Sequence, residues 1–123
     1  MQPPRRRILC VDDDEDTCFM LSTLLGKENY DVRTVKTVSE GLHLARNESF
    51  NLYILDAWFP AEAGIGLCRK IREFDPHTPI IFYSGAAFDS DKEEAIFAGA
   101  QKFVAKPYVE ELVEAVHSLL GDK

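Results

Sequence analysis

Long apolar runs are missing from this chain. No stretch approaches the ~20 apolar residues that a helix needs to cross a bilayer, so membrane spans are not expected. Cysteine is scarce: Cys10, Cys18 and Cys68 are odd in number and have no metal-ligand spacing. Neither a disulfide framework nor a zinc site is therefore written here, and buried reduced thiols are the expectation. Positive charge is also short, with 14 Lys and Arg against 21 Asp and Glu and a formal net charge of −7. The bulk electrostatic case for nucleic-acid binding is absent. The one basic run, Arg5-Arg6-Arg7, reads as a solvated patch. No apolar segment follows these arginines, because Asp12 interrupts the run, so no export signal is visible and a cytoplasmic home is expected. Repeats, linkers and low-complexity tracts are not detectable either. With 123 residues, one domain over 1–123 is expected, with an ordered core of about 7–120.

What is present is alternation. Ile8-Leu9-Cys10-Val11, Leu52-Tyr53-Ile54-Leu55 and Ile80-Ile81-Phe82-Tyr83 are solidly apolar, as strands covered on both faces should be. Asp31 to Val35 is more polar and is placed towards a sheet edge, and Lys102 to Ala105 is a short fifth strand. Helix-period segments lie between them. Phe19, Met20, Leu21, Leu24 and Leu25 form a stripe expected to stop near Gly26. Thr37-Val38-Ser39-Glu40 and Ser90-Asp91-Lys92-Glu93 have capping-box spacing. Leu67, Ile71 and Phe74 stand at i, i+4 and i+7 before Asp75 to Pro79 breaks the pattern. Val109, Leu112, Val113, Val116, Leu119 and Leu120 make the clearest amphipathic helix. Such alternation implies right-handed βαβ units and a doubly wound parallel sheet with helices on both faces.

Ligands of such sheets bind beyond the carboxyl ends of the strands. There the first strand offers Asp12 and Asp13, the third Asp56, the fourth Ser84 and the fifth Lys106. Carboxylates brought together repel one another unless a cation is present. Mg²⁺ commonly takes one or two carboxylates together with water and phosphate oxygens. A hydroxyl and an ammonium beside a metal-bound carboxylate are what an anionic phosphoryl group needs, and a carboxylate can act as the nucleophile that accepts it.

Four blocks now carry a resemblance. Val11-Asp12-Asp13, Leu55-Asp56-Ala57-Trp58-Phe59-Pro60 with Gly64 four residues on, Tyr83-Ser84-Gly85 and Val104-Ala105-Lys106-Pro107 resemble, in order and spacing, the signature blocks of bacterial receiver domains of response regulators. The similarity spans essentially all of the chain. It implies an α/β, doubly wound (βα)5 flavodoxin-like fold with a five-stranded parallel sheet. It also implies roles: Asp56 as phosphoacceptor, and a Mg²⁺ ligand set of Asp12, Asp13, Asp56 and the backbone carbonyl of Trp58. Ser84 and Lys106 would bind phosphoryl oxygens, Ser84 and Phe103 would form the switch, and the bond before Pro107 would be cis. The implied donor is a histidine kinase or a His-phosphotransfer protein. The face of the fourth helix, fifth strand and fifth helix would meet an output partner or effector domain, and a homodimer through that face is a further arrangement. Such a chain is a signalling switch, not a metabolic enzyme.

Blander readings compete. Asp14, Glu15 and Asp16 read as caps and dipole partners of the first helix. A calcium loop starting at Asp12 fails, because Thr17 and Thr23 stand where Gly and Glu are needed. An aspartate-nucleophile phosphohydrolase is disfavoured, since Asp stands where its motif has Thr or Val. A phosphorylation-independent binding module keeps some room, because Trp58 and Phe103 depart from the commoner residues of the family, but Asp13, Asp56, Ser84 and Lys106 argue against it. Trp58 beside the phosphoacceptor is expected either to shield an acyl phosphate from water or to contact a partner. His43, His77 and His117 share no spacing that makes a metal or relay site.

Overall fold

The structure is a computed structural model, and it describes residues 4–57, 64–85 and 89–122. Ten elements alternate: β1 (Arg7–Val11), α1 (Glu15–Lys27), β2 (Asp31–Val35), α2 (Val38–Asn47), β3 (Leu52–Leu55), α3 (Gly64–Phe74), β4 (Ile80–Ser84), α4 (Asp89–Phe97), β5 (Lys102–Ala105) and α5 (Val109–Leu120). All strands run parallel in one sheet of order β2-β1-β3-β4-β5. The polar strand Asp31–Val35 lies at an edge, as its composition predicts.

Because successive strand residues point to opposite faces, the sheet builds two cores. Leu9, Val11, Tyr53, Leu55, Ile80 and Phe82 pack with side chains of α2, α3 and α4. Ile8, Cys10, Ile54, Ile81, Tyr83 and Val104 pack with Leu21 and Leu25 of α1 and Leu112 and Val116 of α5. Helices therefore cover both faces. The three cysteines are free and buried.

Four local expectations are corrected. Helix α1 runs through Gly26 to Lys27, and the left-handed residue that turns the chain is Asn29, with φ 70°; asparagine tolerates this conformation because its side chain can bond locally. Phe19 is 75% exposed, because the buried stripe of α1 is Cys18, Leu21 and Leu25, one position out of phase with it. Ser90 sits inside α4, whose first residue is Asp89, so it does not begin that helix. Phe74 is also half out of the core, with the Arg46 guanidinium 5.8 Å from its ring centroid. The other capping box holds: the Thr37 side chain accepts a bond from the Glu40 amide at the start of α2.

Two members of the basic run, Arg6 and Arg7, make structural contacts. Arg7 bonds Asp31, Glu48 and the Ser49 carbonyl, and its guanidinium lies over the Phe50 ring. Arg6 bonds the Leu120 carbonyl and faces Asp122 at 3.5 Å. These contacts tie β1 to its neighbours at the end of the sheet opposite the acidic cluster.

Candidate functional site

Backbone bonding continues one residue beyond the strands and sets the acidic residues side by side. The Asp12 amide donates to the Val35 carbonyl at 3.0 Å, and the Asp56 amide donates to the Val11 carbonyl at 3.0 Å. Asp12 thus follows β1 and Asp56 follows β3 in adjacent lanes of the sheet. Both are buried, whereas Asp13 is exposed. One carboxylate oxygen from each of Asp12, Asp13 and Asp56 lies within 4.8 Å of the others.

The remaining side chains come from β4 and the residue after β5. Ser84 is the last residue of its strand and is fully buried, and its hydroxyl donates to Asp56 Oδ1 at 2.8 Å. The Lys106 amide donates to the Ser84 carbonyl at 2.9 Å. From that anchor its ammonium reaches Asp12 Oδ2 at 2.8 Å and Asp56 Oδ2 at 3.5 Å. The Lys106–Pro107 peptide is cis. Phe103 is partly buried and stacks on Phe82 with ring centroids 6.2 Å apart.

Asp14 supports the cluster from outside. Its side chain caps α1 by accepting from the amide and hydroxyl of Thr17, and its own amide donates to Asp12 Oδ1 at 2.9 Å. The cap expected for Asp14 is therefore present, and it also orients Asp12.

Electrostatics follow from this burial. Desolvation pushes the Asp12 carboxyl above its ordinary range; the bonds from Lys106 and the Asp14 amide pull the other way, and nearby Asp56 adds repulsion. For Lys106, burial works against the charge, but the hydrogen bond and charge of Asp12, with the charge of Asp56, outweigh it and hold the ammonium above its usual range. Three carboxylates against one ammonium leave the pocket short of positive charge. An all-oxygen donor set of this kind fits a hard divalent cation such as Mg²⁺.

The structure thus brings together Asp12, Asp13, Asp56, Ser84 and Lys106. Trp58 lies outside the described residues, so its carbonyl and its ring are not placed. Two features escaped sequence reasoning. The first is the strength of the Lys106 bond to Asp12, which needs contact between residues 94 positions apart. The second is the reason for glycine at 64: a Cβ there would lie 1.7 Å from the Asp56 carbonyl oxygen. Its place in a signature block was visible, but this close approach of α3 to the end of β3 was not. His43 and His77 are exposed, and His117 faces Glu28 at 2.8 Å, far from this cluster.

Comparison with known proteins agrees with this architecture. The family model of the response regulator receiver domain matches residues 8–117. The uncharacterized transcriptional regulatory protein YrkP of Bacillus subtilis is 37% identical over 109 residues, covering 89% of this chain and 46% of the relative. Response regulator ArlR of Staphylococcus aureus is 34% identical over 115 residues, covering 93% of this chain and 52% of the relative. The chain spans about half the length of these curated relatives. Among solved structures, a CheY-like receiver domain protein from Methanospirillum hungatei superposes with a TM-score of 0.90 at 31% identity, covering 95% of this chain and 94% of that one. The sheet order, the acidic strand ends and these matches lead to one assignment: the chain belongs to the response regulator receiver domain family of two-component systems.

Proposed function

We propose that the chain is a phosphoacceptor switch that takes a phosphoryl group on Asp56 from a histidine kinase or a His-phosphotransfer protein, with Mg²⁺ as cofactor. One observation carries this reading: around Asp56 Oδ1 and Oδ2 converge the Ser84 hydroxyl and the Lys106 ammonium, with Asp12 and Asp13 alongside. Asp12, Asp13 and Asp56, with the backbone carbonyl of Trp58 carried over from the family, would hold the cation. When bound, Mg²⁺ supplies charge neutralisation for the acidic cluster and the phosphoryl oxygens.

The chain's own groups divide the rest of the work. Asp56 presents a carboxylate oxygen as the nucleophile, oriented by the Ser84 hydroxyl on its other oxygen. Lys106 stands within reach of both Asp56 and Asp12, so it can neutralise charge that arrives at Asp56. Ser84 and Phe103 would report the change. As Ser84 bonds a phosphoryl oxygen, Phe103, already stacked on Phe82, would settle further inward and alter the face of α4, β5 and α5. The partner on that face would be an output protein or effector domain, or a second copy of the chain, with phosphorylation shifting a pre-existing equilibrium. A single receiver domain over residues 1–123, working in the cytoplasm, completes the reading.

The test is intact mass after treatment with acetyl phosphate and Mg²⁺. One phosphoryl adduct is expected in the wild type and none in Asp56→Asn. An adduct that persists in Asp56→Asn, or no adduct in the wild type, removes the proposal. The latter outcome would favour a binding module that keeps the fold without the switch.

A further inference from the structure

The ammonium of Lys106 has a third neighbour besides its two carboxylates. It lies over the ring of Tyr83, 5.9 Å from the centroid. Tyr83 is buried, packs in the core layer shared with Val104 and Leu112, and pairs in register with Val104 on β5. The ring is therefore fixed by the sheet, two residues across from the backbone that carries Lys106. A lysine side chain has much rotamer freedom to lose when it is held in one place, and an aromatic face attracts a cation within about 6 Å of its centroid.

The other two contacts are not dedicated to positioning. Asp56 is the group that would react, and Asp12 would also serve the cation. The Tyr83 ring is the one of the three that carries no charge and has no other duty in the proposed chemistry. Its side chain leaves β4 on the opposite face from Ser84, so a single strand places the hydroxyl beside Asp56 and the aromatic floor beneath Lys106.

We infer that Tyr83 is a positioning residue whose ring holds the Lys106 ammonium over the acidic cluster, in reach of the phosphoryl group arriving at Asp56. The inference rests on the phosphoacceptor reading for its consequence, but not for the contact itself. The ring acts through its face, so phenylalanine can replace tyrosine, while an aliphatic residue of similar bulk cannot.

The experiment follows adduct formation from acetyl phosphate and Mg²⁺ in the full chain by intact mass. Wild type, Tyr83→Phe and Tyr83→Leu are compared, each with Lys106 intact and as Lys106→Met. Tyr83→Leu is expected to slow adduct formation about three- to tenfold, with Tyr83→Phe within about twofold of wild type. Tyr83→Leu should add no further slowing once Lys106 is methionine, which a general packing defect would not satisfy. Wild-type speed in Tyr83→Leu, or the same slowing in the Lys106→Met background, overturns the inference. Nuclear Overhauser contacts between the Tyr83 ring and the Lys106 ε-methylene in the wild type read the positioning without any phosphoryl transfer. Their absence overturns it even if Tyr83→Leu fails to fold. Their presence in a wild type that takes no adduct upholds the contact and removes the phosphoacceptor reading alone.

Discussion

Asp12 is the residue at which stability and the proposed function pull apart. It is buried, and even with Lys106 bonded to it at 2.8 Å its carboxyl stays pushed above the ordinary range by desolvation. A carboxyl raised in the folded state binds its proton more tightly there than in the unfolded chain. Its contribution to stability therefore falls as pH rises from the ordinary carboxylate range through the raised value, and at neutral pH the charged group is a net cost. Asp12→Asn removes that charge. Without divalent cations its melting temperature is expected to exceed that of the wild type by a few degrees at pH 7. With excess Mg²⁺ the wild type should gain stability by ligand linkage, and the variant much less. Thermal melts with and without Mg²⁺ check both directions, and a variant that melts lower without cation contradicts the argument. Trp58 poses a second question at this scale, read from its position two residues after Asp56. If its ring restricts the attacking water, the phosphoryl group on Trp58→Ala should be lost several-fold faster than on the wild type. Equal lifetimes by intact mass would instead leave partner contact as the role for Trp58.

Among the elements, helix starts show how local chemistry holds the frame around the site. Asp14 caps α1 and Thr37 caps α2 through side-chain oxygens that accept amide bonds. Thr37 lies two residues past β2 and directs α2 back over Val11 and Leu55. Thr37→Ala should lower stability by about 1 kcal/mol, read as a shift of the urea midpoint at unchanged slope. Adduct formation at Asp56 should persist, because the Ser84 hydroxyl and Lys106 ammonium that bond Asp56 and Asp12 come from other elements. The start of α3 is under a stricter constraint, since Gly64 lies against the Asp56 backbone with no room for a Cβ. Arg72, further along that helix, donates to the carbonyls of Gly99, Asp75 and Thr78. It thereby joins the end of α3 to the loops before β4 and β5. Gly99 there adopts φ 116°, a conformation open to glycine.

Across the whole molecule, the alternation of strands and helices was legible because it is written in local periodicity. Apolar runs such as Leu52–Leu55 require cover on both faces, and the amphipathic pattern of α5 supplies part of that cover. Asp12, Asp56, Ser84 and Lys106 were legible as a set because parallel strands end at one edge, so chain position alone nearly places them. Helix limits were less so. Gly26 looked like a stop but stays helical, and the left-handed turn falls three residues on, at Asn29. Phe19 looked like core but faces out, because Cys18 occupies the inward position and donates to the Asp12 carbonyl at 3.2 Å. The sequence by itself determined the alternating α/β fold class and the identity of the converging side chains, both consequences of patterns a few residues long. Tertiary structure alone decided that Lys106 bonds Asp12 more closely than Asp56, that Gly64 touches the Asp56 carbonyl and that the Tyr83 ring lies beneath the ammonium. Each of these is a distance between residues remote in the chain, set by how strands and helices pack and not by any local preference.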